Sequence, residues 1–334
     1  MPIISKSVTF VGKIHHDEDL SAIANFEIDG ISYLAVGSDE SKYRVQLLKQ
    51  TSKQVYEVDN DLEITLPVPA KADELDIEGI SYDPETACLY VIGSHSQKRK
   101  TVKVDSKTAA ENRKRLTDAK ISPETDRNRI FQVALKSKSG KVKGEIQQLD
   151  TLKTIFAQDD YLKRFIDIPS KENGIDIEGL AFRAGELFLG FRGPILRGNY
   201  VPVLVVSSDA FTPSKDLENY EIRFVQLNGS AIRDMTAVKD GFLIIGGPMG
   251  DAPGPYGIYF WDGTDMVYGT DRPVPVPPAI LHLEEIPPII GDSGAQGKAE
   301  GITVLDETAT GYRVLIIYDS IKAGGPQLWH IPKP

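Results

Sequence analysis

Cysteine, histidine and long apolar runs are scarce in this sequence of 334 residues. The single cysteine, Cys88, excludes an intramolecular disulfide and is typical of a reducing compartment. No stretch approaches the roughly 18 uninterrupted apolar residues of a membrane span, and the first residues contain no apolar core of a secretory leader. We therefore expect a cytoplasmic protein with no membrane partner.

Positive charge is also in deficit. The formal net charge is −10, from 38 Lys and Arg residues against 48 Asp and Glu residues. A chain with this balance has no overall attraction for phosphate backbones, so we expect no nucleic-acid partner. The same balance is compatible with the binding of cations.

Sequence motifs of common catalytic sites are missing. There is no G-x-S-x-G, H-E-x-x-H, phosphate-loop or dinucleotide-binding pattern. Helical periodicity is nearly absent, and short apolar runs are separated by Gly, Pro, Asp and Asn. These features favour an all-β fold.

One pattern occurs five times along the chain: a polar pair, a short strand, a gap and a strongly apolar strand. Radial repetition of four-stranded sheets is the β-propeller architecture, and five units lie within its usual range. The first strands are predicted at 19–26, 76–83, 176–183, 231–238 and 298–305. The second strands are predicted at 31–40, 88–96, 186–193, 241–249 and 312–320. The outer strands are predicted at 43–49 and 62–68, 128–135 and 144–152, 201–208 and 221–227, 256–263 and 279–286, and 326–332.

The fifth unit is one strand short, and a strand-like segment, KSVTFVGKI at 6–14, is available at the other terminus. We predict that this N-terminal strand joins the last blade and closes the ring, which hides two sheet edges. The prediction is an all-β, five-bladed propeller with four antiparallel strands per blade, in a single domain over 1–334. A sixth blade between 83 and 176 is the main alternative.

Two inserts interrupt the blades, at about 97–127 and about 155–173. Between Lys98 and Arg129, eleven Lys or Arg residues stand against five Asp or Glu residues, and the middle of the first insert has helix-forming composition. A solvated loop is the simpler interpretation of this basic insert, and an anion-binding lid is the alternative. The second insert contains FAQDDYLKRFIDI, which predicts a short helix packed on the body.

Polar side chains recur at the start of each first strand and at the end of each second strand. Antiparallel strands place both positions on one face of a propeller, so we expect these side chains to meet at one mouth of the central channel. His95, Arg192 and Arg233 are the candidate catalytic residues on this face. The carboxyls predicted to meet there as metal ligands are Asp76, Glu78, Asp176, Glu178 and Glu300.

Carboxylates that converge on a narrow mouth cannot all stay ionised without compensation. Arginines neutralise them, some are protonated, or a cation lies among them, and the sequence leaves these possibilities open. Hard oxygen ligands without cysteine favour calcium over zinc, with magnesium the less favoured alternative. At each position a purely structural role, in which glutamates accept backbone N–H bonds, is the competing interpretation. The glycine after each glutamate predicts a close approach of neighbouring inner strands.

Around these motifs the sequence resembles an uncharacterised bacterial family, domain of unknown function 3616, over nearly the whole chain. The motifs that carry the resemblance are DIEGISYD with LYVIGSHSQKRK, DIEGLAFR with LFLGFRGP, IRDMTAV with FLIIGGPMG, and AEGITV with LIIYDS. More distantly, the Glu-Gly motif is similar to that of phytase-like and esterase-like propellers, which implies calcium held by channel carboxylates. Only Glu78, Glu178 and Glu300 match that position, whereas Ser21 and Arg233 depart from it.

The first functional hypothesis is a metal-assisted hydrolase of a small phosphorylated or ester substrate. In it the carboxylates hold Ca²⁺, which polarises the substrate or a bound water. Arg192 and Arg233 hold the anionic group, and His95 transfers a proton. The alternatives are a non-catalytic propeller that binds a small anionic molecule or a protein on the same face, and a scaffold whose acidic ring is internally paired. Propellers serve all three purposes, so the fold does not choose among them.

Overall fold

The structure is a computed structural model, and it describes residues 3–69, 71–72, 74–211, 220–250, 252–272, 279–292 and 294–334. These residues form five large β-sheets, a two-stranded ribbon and two short α-helices, Ala109–Leu116 and Leu152–Gln158. Neither of these helices is long and apolar enough to cross a membrane. The cytoplasmic location stays a prediction.

The first strands of the five sheets form a closed ring. Each packs against the first strands of the two neighbouring sheets, and the fifth packs against the first. At this last junction the Asn25 backbone N–H donates to Thr303 Oγ1 over 2.8 Å, and Asn25 Nδ2 donates to the Val304 carbonyl over 3.2 Å. The five-bladed propeller predicted from the repeats is thereby confirmed. The inner strands are Leu20–Ile28, Ile77–Asp83, Asp176–Arg183, Ala231–Val238 and Lys298–Glu307.

Blades two, three and four contain the predicted antiparallel strands, with ends that shift by a few residues. All residues between 83 and 176 are described, and they hold the rest of blade two and the two inserts without a sixth blade. Outside the inner strand, blade two consists of Cys88–Gly93, Ile130–Ala134 and Gln147–Leu149. Blade three continues with Glu186–Gly193, Tyr200–Ser207 and Tyr220–Gln226. Blade four continues with Gly241–Gly247, Tyr256–Trp261 and Ile280–Ile286.

Blade five takes its outer strand from the N-terminus. Its second and third strands are Gly311–Asp319 and Gln327–Pro332, and Ile3–Ser7 pairs antiparallel with the third. The predicted strand over 6–14 is therefore divided, because Thr9–Val11 leaves this blade and pairs in parallel with Val55–Val58 of blade one. Closure of the ring by the N-terminal strand stays a prediction.

Blade one differs from the prediction at its outer edge. Beyond Ile31–Ser38 and Arg44–Ser52, the next strand is Val55–Val58, where two buried side chains alternate with less buried ones. The predicted outer strand at 62–68 is wrong, since only Ile64–Thr65 is extended there and it pairs with the start of the third strand. Val55–Val58, which directly follows the turn after the third strand, forms the fourth strand instead, because pairing there requires a shorter loop.

Glycines let the inner strands pack closely at the mouth, as the Glu-Gly motif predicts. A Cβ on Gly79 of blade two would lie 2.5 Å from Leu180 Cβ of blade three. A Cβ on Gly301 of blade five would lie 3.0 Å from Ile23 Cγ2 of blade one. Blade four carries an aspartate at the equivalent position, and Asp234 accepts the Ile302 N–H of blade five over 2.7 Å.

The inserts are ordered differently. The first forms a ribbon of Lys98–Arg99 with Ile121–Ser122, topped by the helix Ala109–Leu116, none of whose side chains is buried. The second forms the helix Leu152–Gln158, which begins earlier than predicted and buries Leu152, Ile155 and Phe156 against the body.

Candidate functional site

A cavity of about 780 Å³ opens at the mouth of the channel. It is lined by the starts of first strands, by the ends of second strands and by the first insert, as the propeller topology predicts. Asp176 does not line the cavity but contacts Arg192, which does. The other predicted site residues that line it are Asp76, Glu78, Glu178, Arg233 and Glu300. Its volume falls within the roughly 300–1,000 Å³ of small-molecule sites.

The charged side chains on the floor of this cavity form one group, which we call the mouth cluster. It contains seven carboxyls and four cations within the described residues, so its formal charge has an excess of three negative charges. Since these side chains, apart from the partly exposed Lys298, are largely removed from water, the excess has to be relieved by protonation or by a bound cation. The members are Asp39, Asp76, Glu78, Asp176, Glu178, Glu300, Asp319, Arg127, Arg192, Arg233 and Lys298.

Arg192, at the end of the second strand of blade three, pairs with both predicted carboxyls of its own blade. Its Nη2 contacts Asp176 and its Nη1 contacts Glu178. Burial alone would lower the pKa of Arg192, but the neighbouring carboxylates outweigh it and raise this pKa well above its usual range. Both guanidinium Nη groups are therefore committed to the protein.

Arg233 bridges two blades. Its Nε lies 2.9 Å from Glu178, its Nη2 contacts Glu300, and its Nη1 donates to the Pro248 carbonyl over 3.3 Å. The two Nη groups are hydrogen-bonded to the protein, whereas Nε lies close to Glu178 without forming a hydrogen bond, and the side chain is 3% exposed. Blade four thus carries arginine where blades two, three and five carry glutamate, and this cation holds the carboxylates of blades three and five together.

Three carboxyls share these two arginines, so one counter-charge is missing. Burial is the main reason that the pKa of Glu178 is raised to about 8, and its two arginine neighbours only partly offset it. Asp176, Glu178 and Glu300 are thus held by ion pairs within the protein, as in the scaffold alternative, but with one positive charge too few.

Asp76 has a cation that sequence reasoning missed. Arg127 Nη1 lies 2.5 Å from Asp76 Oδ2, and its Nη2 contacts Glu74. The Ser94 and Ser96 hydroxyls also donate to Asp76. Arg127 lies at the end of the long first insert, so no repeat of the strand pattern marks it; only its place just before the third strand of blade two indicates that it reaches this face.

Asp39 and Glu78 lack such a partner, and we call them the unpaired carboxyls. In the described part of the chain, no hydrogen bond or ion pair engages either side chain, and Asp39 Oδ1 is buried. Burial, followed by the charges of Glu300 and Asp76, raises the pKa of Asp39 to about 9. Burial, followed by the charges of Glu178 and Asp76, raises the pKa of Glu78 well above its usual range.

The unpaired carboxyls lie on the side of the mouth next to blade one, which lacks the glutamate that blades two, three and five carry at the start of their first strands. Ser21 occupies the position of the glutamate there, and its hydroxyl donates to the Ile77 carbonyl over 2.5 Å. Among the described residues of blade one, no arginine side chain lines this part of the cavity. The blade instead contributes the acidic side chain of Asp39, just after its second strand. On the other side Lys298 binds Asp319 over 2.5 Å.

The structure does not bring His95 to the cavity. The ring is 2% exposed, its Nδ1 lies 2.8 Å from the Gly93 carbonyl, and it packs edge-on against Phe156 at 6.0 Å between centroids. Burial lowers its pKa to about 4. The predicted proton transfer by this residue has no support in the geometry, because the second insert covers the histidine with an apolar helix.

The predicted metal ligands were tested for a ready-made site. Within the described residues, no three histidine, cysteine or acidic side chains stand where they could jointly hold a metal ion. Four of the five predicted ligands are in ion pairs with Arg127, Arg192 or Arg233, and Glu78 is the exception. Calcium as a cofactor stays a prediction.

Solved structures with a similar fold are distant. A GH43 β-1,3-galactosidase with galactodeoxynojirimycin is 9% identical with a TM-score of 0.48, over 94% of this chain and 90% of that chain. An exo-β-1,3-galactanase from Phanerochaete chrysosporium is 7% identical with a TM-score of 0.45, over 92% of this chain; the chain spans only 59% of the galactanase. A hypothetical protein from Leishmania major is 12% identical with a TM-score of 0.37, over 98% and 89% of the two chains. At these values the similarities carry no argument about activity.

Sequence comparison identifies the family. No match was found among curated proteins. The resemblance to phytase-like and esterase-like propellers stays a prediction, as does the bacterial origin. A family model described as "Protein of unknown function (DUF3616)" matches residues 19–325. Because this match covers most of the sequence, the chain belongs to the DUF3616 family.

Proposed function

We propose that the cavity binds a small ligand through a cation held at the unpaired carboxyls, Asp39 and Glu78. The observation that carries the proposal is that Asp39, which is half-buried, and Glu78, which is buried, line one cavity without a cationic partner, while the other carboxyls of the mouth cluster are in ion pairs. Burying like charges is unfavourable unless a proton or a cation compensates them. A bound cation supplies the charge that the arginines do not reach.

Calcium is the first probe for this site. The donors in reach are hard oxygen atoms, which suit Ca²⁺ or, less well, Mg²⁺. Calcium takes about six to eight oxygen ligands, so two protein carboxyls leave most positions to water and to a ligand. This differs from the predicted set of five protein ligands, because Asp76, Asp176, Glu178 and Glu300 already neutralise arginines.

Hydrolysis of a small phosphorylated or ester substrate is the second candidate function. The observation that favours it is the raised pKa of Asp39, about 9, next to the carboxylate of Asp76, which Arg127 and two serine hydroxyls bind. A protonated and an ionised carboxyl in one cavity form an acid and base pair. A non-catalytic propeller that binds a small molecule or a protein on this face requires only the binding site.

Calorimetric titration of the purified chain with CaCl₂ tests the binding proposal. The double variant Asp39→Asn, Glu78→Gln is expected to weaken calcium binding at least about tenfold, because it removes both negative donors. Glu85→Gln is the matched control, since Glu85 is exposed on blade two and does not line the cavity. Equal affinities of the double variant and the control would overturn the proposal.

Turnover assays separate the two candidates. A panel of phosphate esters, carboxylic esters and lactones is offered to wild-type protein and to Asp39→Asn, with and without calcium. Turnover by the wild type that Asp39→Asn loses supports the hydrolase. Calcium binding without turnover of any of these substrates supports the binding protein.

A further inference from the structure

The first insert reaches the rim of the cavity, and we call residues 97–127 the basic arm. Its ribbon and its helix are built from local contacts, including a capping box between Thr108 and Glu111. Asn112 fastens the loop to the helix by hydrogen bonds to both the N–H and the carbonyl of Lys103. The arm residues that line the cavity are Gln97, Lys98, Arg99, Lys100, Thr101, Val102, Arg115, Leu116 and Arg127.

Apolar packing does not explain why the arm lies there. None of the helix residues is buried, and Val102, Val104 and Leu116 are 42%, 77% and 66% exposed. Ion pairs tie its base to the body, with Lys98 bound to Glu74 over 2.7 Å and Arg99 bound to Glu172. Partly exposed pairs of this kind add little stability, so the position of the arm is not a consequence of core formation.

Among the described arm cations that line the cavity, Arg115 is the one whose Nη donors stay open. Its Nε donates to the Thr101 carbonyl over 2.6 Å, which fixes the plane of the guanidinium. Lys98, Arg99 and Lys100, by contrast, are each bound to a carboxylate. Across the described ranges, no acceptor engages the two Nη groups of Arg115, although the residue lines the cavity. A guanidinium fork held in this way matches the two oxygens of a phosphate or carboxylate.

We propose that Arg115 binds an oxyanion of the ligand at the rim, opposite the cation held by the unpaired carboxyls. This subsite deepens the proposed function and rests on it for the cation on the floor. Val102 and Leu116 also line the cavity and are partly exposed. Their apolar surface would contact the portion of the ligand that lies between the oxyanion at Arg115 and the cation. The ligand class is therefore a small organic phosphate or carboxylate with an apolar portion.

Titration of the full chain with phenyl phosphate and with inorganic phosphate, at constant ionic strength, tests this subsite. Arg115→Gln is expected to weaken phenyl phosphate binding at least about tenfold, because the bidentate contact is lost. Arg113→Gln is the matched control, since Arg113 lies on the same exposed helix and does not line the cavity. Arg115→Lys keeps the charge without the fork and is expected to fall between the two.

Three results would overturn the subsite: no phenyl phosphate binding by the wild type, equal affinities of Arg115→Gln and Arg113→Gln, or phenyl phosphate bound no more tightly than inorganic phosphate. Calcium titration of the same variants separates this from failure of the proposed function. Loss of Arg115-dependent anion binding with calcium still bound removes the subsite alone. Arg115-dependent anion binding without calcium binding removes the cation site and leaves the subsite.

Discussion

The substitution Asp39→Asn tests whether the Asp39 carboxyl is buried without a counter-charge. Burial and the neighbouring carboxylates raise its pKa from 3.8 to about 9, so the folded chain holds a proton there that the unfolded chain releases. At pH 7 this uptake costs about 4 kcal/mol, at roughly 1.36 kcal/mol per pH unit. Partial exposure of the side chain reduces the cost. We expect the neutral amide to raise the free energy of unfolding by about 1–3 kcal/mol.

The direction of the pH dependence follows from the raised pKa. Whatever stability the protonated Asp39 contributes is complete below pH 3.8 and is lost as the pH rises toward about 9. The advantage of Asp39→Asn over the wild type therefore grows with pH across this window. Urea unfolding of calcium-free protein at about pH 5, 7 and 9 measures it, with Glu85→Gln as the control for loss of one negative charge. At about 1.4 °C per kcal/mol for a chain of this length, the shift in Tm at pH 7 is roughly 1.5–4 °C. An advantage that is absent, or that shrinks as the pH rises, would refute the reasoning.

The remaining predictions concern the arginine bridge, the inner ring, cation affinity and the buried histidine. Arg233→Met leaves two buried carboxylates without their shared cation and is expected to cost about 3–5 kcal/mol in urea unfolding; a loss below about 1 kcal/mol would show that the bridge is not buried. Gly79→Ala places a Cβ 2.5 Å from Leu180 Cβ and is expected to lower the free energy of unfolding by about 1–3 kcal/mol, whereas no loss would contradict the close approach of the two strands. At the proposed cation site, calcium would have to displace the proton of Asp39, so calorimetry is expected to show affinity that rises with pH toward about 9 and then levels; a flat profile would contradict displacement. Burial lowers the pKa of His95 to about 4, so its contribution to stability is lost as the pH falls from 6.5 toward 4, and His95→Gln is expected to flatten this acid limb of the urea-unfolding profile; an unchanged limb would mean that the histidine is not buried in its neutral form.

Much of the propeller was predictable because each blade repeats the same local sequence pattern. An apolar second strand follows a polar-started first strand in every unit, and the ring of inner strands then brings the repeated positions to one mouth. The outer edge of blade one was not predictable in this way. Val55–Val58 and 62–68 are both short alternating segments, and tertiary packing rather than propensity chooses between them.

The meeting of the carboxyls was predictable, but their pairing was not. Topology alone places Glu78, Glu178 and Glu300 on one face. Which cation each one meets depends on side-chain length and on neighbours far away in sequence, as in the bridge from Arg233 to two other blades. Arg127 escaped prediction because a long insert separates it from the strand pattern.

The burial of His95 could not be predicted from the sequence. This residue follows the second strand of blade two, where the sequence predicted a place at the mouth, but the ring is buried and does not line the cavity. Its burial depends on the second insert, where Phe156 of the helix Leu152–Gln158 packs against the ring. The sequence predicted a short helix packed on the body over 156–168, which overlaps the observed helix only at its last three residues, and no signal marked the residue that it covers.

The most direct measurement of the central claim is the position of a bound cation. A crystal of the chain grown with terbium, a trivalent substitute for calcium that scatters anomalously, locates it without reference to activity. The proposed cation site predicts one strong anomalous peak in the cavity between the Asp39 and Glu78 carboxyls, and no such peak in Asp39→Asn, Glu78→Gln. A peak centred on Glu178 and Glu300, or no peak in the cavity of the wild type, would contradict it.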